Sequence, residues 1–76
     1  MSDIVYEYLT DKEKNDILVS RIKSHEYTIY GAEITKLELS SLDPVDSIAL
    51  ASAEQQILDV QNKITLLKSK QETLSL

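Results

Sequence analysis

The chain has 76 residues, 42% of them apolar, and 13 acids against eight bases give a net charge of −5. This is the size of one small domain, and with no Cys it can hold neither a disulfide nor a thiolate metal site nor a Cys nucleophile. The longest charge-free stretch, Ser47–Ala53, falls far short of the roughly 20 apolar residues a membrane span needs, and the acid excess has the wrong sign for gripping phosphates, which ranks nucleic-acid binding last.

Residues 1–10 read as an N-terminal arm. Asp3 to Leu9 alternates weakly like a strand, and the same residues could extend a following helix. No basic start leads into an apolar run, so the expectation is a cytoplasmic protein without a secretory leader. Tyr6 and Tyr8 make this arm a candidate contact for a neighbouring subunit or partner, because tyrosine suits surfaces that are half wet and half buried.

Thr10-Asp11-Lys12-Glu13 has the form of a capping box and predicts a helix over about 11–40. One apolar seam in it reads Leu18, Ile22, His25, Ile29, Ala32, Lys36 and Leu39. A second, offset stripe reads Tyr27, Tyr30, Ile34 and Leu37, turned by roughly 100° from the first at the helical ~100° per residue, with Glu26 and Glu33 between the two. A helix with two separated apolar stripes wants two neighbours. The run Tyr27-Thr28-Ile29-Tyr30 before Gly31 also admits a strand, but no turn signal with flanking alternation accompanies it. Gly31 itself reads as either a mild kink or a point of close contact beside Ala32.

Asp43-Pro44 predicts the next helix start, with Asp43 as cap, Pro44 at the first helical position and Asp46 as an acid in the first turn. That leaves a turn at 41–43 and a second helix over about 44–73. Its seam is Leu50, Ala53, Ile57, Val60, Ile64, Leu67, Gln71 and Leu74, spaced three and four without a slip and apolar at seven of eight positions. This is the 3.5-residue period of a coiled coil.

So short a link makes the helices antiparallel. The predicted fold is therefore all-α: a coiled-coil-like helical hairpin over 11–76, assembling into a helical bundle. Folding about Leu42 brings Ile22 opposite Val60–Ile64 and Ala32 opposite Leu50–Ala53, and sets Asp11, Glu13 and Asp16 near Lys63, Lys68 and Lys70. The hairpin leaves Tyr27, Tyr30, Ile34, Leu37, Leu58 and Leu66 unhoused, so the expected partner is a second copy, a dimer first, or another protein.

No residue pattern reads as an active, cofactor or metal site. His25, the single histidine, falls in the seam and reads as a packed, hydrogen-bonded residue; the pairs Asp11–Asp16 and Asp43–Asp46 read as helix-start acids. The expected function is a non-enzymatic structural, assembly or adaptor role through coiled-coil self-association and protein–protein contact. The alternative is a small acidic inhibitor or regulator, such as a phage or bacterial accessory protein, lying on a partner's surface.

Overall fold

The computed structural model describes residues 8–75. Two helices, α1 (Asp11–Ser40) and α2 (Ser47–Gln71), pack antiparallel as an all-α hairpin about 55 × 21 × 17 Å in extent. Residues 1–7, including Tyr6 and most of the proposed arm, lie outside the described residues.

The start of α1 follows from its first four residues. Glu13 N–H donates to Thr10 Oγ1 at 3.1 Å, and Thr10 N–H donates to Glu13 Oε1 at 2.8 Å. Two backbone donors that the helix leaves open are thereby satisfied reciprocally. The helix then runs without a break through Tyr27–Tyr30 and through Gly31, which has no positive φ. Here the helical period of the whole segment outweighs the local β-branched and aromatic bias. At its far end Ser41 N–H donates to Glu38 O and Leu42 N–H to Leu39 O, both at 3.2 Å, and this tightened turn closes the helix without a glycine.

The second helix begins one turn later than Asp43-Pro44 suggests. Asp46 is the cap, its Oδ1 accepting from Ala49 N–H at 3.0 Å, and residues 41–46 form the connection. Both aspartates satisfy the sequence rule for a cap; burial separates them. Residues 41–48 are all exposed, and packing against α1 begins at Ala49 and Leu50. An earlier turn of helix would bury nothing to offset its ordering. Asp46→Ala should therefore lower stability by about 1 kcal/mol, while Asp43→Ala should change it by less than about 0.5 kcal/mol. Urea titrations followed by circular dichroism would check both.

The seam itself is narrow. Ile22, Ala32, Ala53 and Val60 are buried, and none of the described side chains is fully sequestered. Leu18, His25, Ile29, Lys36 and Leu39 on α1 are half-buried, as are Leu50, Ile57, Ile64, Leu67 and Gln71 on α2. The two buried alanines let the backbones approach, and the two larger buried residues fill the layers toward the open end.

Polar contacts fix the register at both ends. Gln71 Nε2 donates to Asn15 Oδ1 at 3.0 Å and Ser75 N–H to Asp11 Oδ2 at 2.8 Å near the open end. Nearer the turn, Lys36 Nζ lies 3.4 Å from Glu54 Oε2. The expected pairing of Asp11, Glu13 and Asp16 with the lysines of α2 is replaced by local contacts, apart from the one bond that Asp11 accepts across the hairpin. Asp11 takes Lys14 and the Ser75 amide, Glu13 closes the capping box, and Asp16 pairs with Lys12 at 3.1 Å. An acid one turn from a lysine on its own helix is already within reach, whereas a cross-helix pair must order two long side chains. Lys68 and Lys70 instead sit in the last turn of α2, where positive charge suits the carbonyl end of the helix.

Candidate functional site

Because α1 packs on α2 through Leu18, Ile22, His25, Ile29, Ala32, Lys36 and Leu39, the opposite side of α1 faces water. Tyr27, Tyr30, Ile34 and Leu37 stand on that side, 73%, 66%, 37% and 68% exposed. Their spacing of three, four and three puts them in one row about 15 Å long at ~1.5 Å per residue. The row is turned further from the seam than the roughly 100° expected. At ~100° per residue, Tyr27 lies half a circle from Leu18, and the row as a whole points away from α2 rather than beside it. α1 is thus apolar on nearly opposite faces, one used within the hairpin and one left open.

The row has a distinct border. Glu26 and Glu33 run along one side of it; Gly31 and Glu38 lie along the other. All four are exposed. Lys23 stands at its N-terminal end, beside Tyr27 in a shallow groove with Val19 and Ser24. Lys36, near Leu37, turns toward α2 and its ion pair with Glu54.

Gly31 carries a second observation. A Cβ built on it would meet no atom within 4 Å, so neither helix packing nor backbone conformation within the hairpin calls for glycine there. It is neither a kink nor a contact point against α2. A mid-helix glycine costs about 0.5–1 kcal/mol relative to alanine. Gly31→Ala should therefore raise the stability of the hairpin by roughly that amount, about 0.5–1 kcal/mol, measured by urea unfolding at a concentration where the protein is monomeric. What the glycine leaves open is the surface just beside the apolar row.

α2 offers no matching face. Leu58 and Leu66 are 55% and 70% exposed, and at ~100° per residue they stand about 80° apart on the side of α2 turned away from α1, so they lie across the hairpin from the row. A closed four-helix bundle needs both helices of a hairpin to present apolar flanks on the same side. This hairpin presents a single helix instead.

The remaining sequence candidates take structural places. Tyr8 is 80% exposed and Leu9 half-buried at the open end, beside Leu18 and the stems of Lys14 and Lys70. His25 is half-buried in the seam, as its position implies, but among the described residues its ring makes no hydrogen bond. It borders an open groove with Gln56, Asp59 and Lys63. Half-buried beside an open groove, the ring keeps access to water and needs no protein partner. Asp46 caps α2, and Asp11 and Asp16 make the local ion pairs given above. Among the described residues no three His, Asp or Glu side chains gather as a metal site, and no helix is long and apolar enough to cross a membrane.

The border of Gly31 and Glu38 was the part least visible in the linear sequence. The signal is the offset of one and four residues from the row, which places Glu26, Glu33 and Glu38 around it once the row is known to be open. Comparison with known proteins returns no match, whether to a family model, a curated protein sequence or a solved structure.

Proposed function

We propose that this is a non-enzymatic assembly or adaptor protein whose working surface is the outer face of α1. The observation that carries the reading is the row Tyr27, Tyr30, Ile34 and Leu37, exposed on a helix whose other face already holds the hairpin together. Scattered apolar side chains on a surface need no explanation, but a contiguous row at helical spacing is the form a helix-docking surface takes. The protein acts by burying that row against a helix supplied from outside the hairpin. A second copy of the chain and a different protein are the two sources of such a helix.

Amide spectra of the isotope-labelled protein test the reading, recorded across a hundredfold dilution and with added amphipathic helical peptides carrying a leucine seam. The expected changes cluster at Tyr27–Leu37 and vanish in the Tyr30→Glu plus Ile34→Glu variant. Spectra that never change at this row, or that change equally in the variant, would contradict it.

A further inference from the structure

We infer that the helix received by the outer face of α1 belongs to a different protein and carries lysine or arginine along its flanks. This rests on the reading of that face as the working surface and adds the identity of its occupant by chemical class.

The charges around the row decide the matter. From Ser24 to Ser40 the ionisable residues that border it are Glu26, Glu33 and Glu38, all exposed and all of one sign. These are the positions that, in paired helices, sit beside the apolar seam and select the partner. A second copy would bring three more glutamates onto the same contact, whichever way round it lay. Like charges facing each other weaken the wrong pairing, and opposite charges favour the right one. Lys23 stands only at one end of the row, and Lys36 is already drawn to Glu54 across the hairpin. Along the row itself no cation of α1 is therefore placed to neutralise a twin, and Lys23 would meet at most Glu38 of an antiparallel copy, leaving Glu26 and Glu33 unopposed.

Shape narrows the occupant further. The row is one helix wide, since Leu58 and Leu66 stand on the far side of α2, across the hairpin from it, so the site takes a single helix and not a second layer. Gly31, on the open side between Tyr27 and Glu38, lets that helix approach more closely than any side chain would allow. Its partner position calls for a bulky apolar residue, with basic side chains one step to either side.

Two synthetic 21-residue helical peptides with the same leucine seam serve as probes, one flanked by Lys and one by Glu. Fluorescence anisotropy should show the Lys-flanked peptide binding the full chain at least about tenfold more tightly than its Glu-flanked isomer, with the preference shrinking in 0.5 M salt. Glu26→Lys plus Glu33→Lys plus Glu38→Lys should erase that preference. A control that changes net charge equally but away from the row, Asp43→Lys plus Asp59→Lys plus Glu72→Lys, should keep most of it. Circular dichroism checks that both variants remain helical. Equal binding of the two peptides, or equal loss in the control, would overturn the inference while leaving the face as a docking surface. So would light scattering that shows a dimer dispersed by Tyr30→Glu plus Ile34→Glu, since a second copy would then be the occupant. If neither peptide binds and the protein stays monomeric, the proposed function falls as well.

Discussion

Ile22→Ala is expected to lower the stability of the hairpin by about 2–4 kcal/mol. Ile22 is the larger of the two buried side chains of α1, and Val60 the larger of the two on α2. Truncation removes three methyl or methylene groups from a layer that has no second shell to collapse into the gap. The seam is also thin: four buried residues carry it, so no neighbouring cluster shares the loss. Leu66, 70% exposed, makes the comparison. Leu66→Ala should shift stability by less than about 0.5 kcal/mol, as surface changes do. Ile64, half-buried one turn along, should fall between them. Urea titrations of the three variants give the ranking directly, and equal losses at Ile22 and Leu66 would mean that the face bearing Leu66 is covered.

The second large effect belongs to the outer face. Tyr30→Glu plus Ile34→Glu should weaken docking of an external helix on the order of a hundredfold or more, since each change removes buried apolar area worth about 1.5–3 kcal/mol and adds a charge with no partner. The same variant should keep its helices. Both residues are exposed on the face of α1 turned away from α2, and glutamate forms helix better than tyrosine or isoleucine. The added charges do lie beside Glu26, Glu33 and Glu38, so a small loss of helicity from like-charge neighbours is expected, of order a few tenths of a kcal/mol per pair. Loss of binding without loss of fold is the signature of a face kept for a partner.

Much of the hairpin was legible from residue spacing. The capping box at Thr10–Glu13 and the unbroken three–four repeat from Leu50 to Leu74 act locally, within one or two turns, and local rules are the ones a linear sequence states outright. The start of α2 was less legible because Asp43 and Asp46 compete, and the choice depends on where contact with α1 begins, a tertiary fact. The charge pairing failed for a related reason. Asp11, Glu13 and Asp16 had partners within reach on their own helix or at its cap, and nearer partners win. At the outer face the row of Tyr27, Tyr30, Ile34 and Leu37 stood out by its spacing. Its direction was misjudged although the same arithmetic holds it: at ~100° per residue the two stripes centre about 150° apart, and an offset of some 100° fits only the near edge of the row. What the packing of α1 on α2 adds is which stripe is covered, and with it the meaning of Gly31 and the glutamates on the border.

The division of labour between the two faces of α1 is tested most directly by far-ultraviolet circular dichroism melts of two variants at one concentration. One carries charge on the inner seam, Ile22→Glu; the other carries it on the outer face, Tyr30→Glu plus Ile34→Glu. The expected result is that the inner variant loses most of its helical signal already at 25 °C, while the outer variant keeps its signal and a cooperative melt. An outer variant that unfolds alongside the inner one would show that the face is part of what holds the hairpin together, and would contradict its assignment as a surface reserved for another protein.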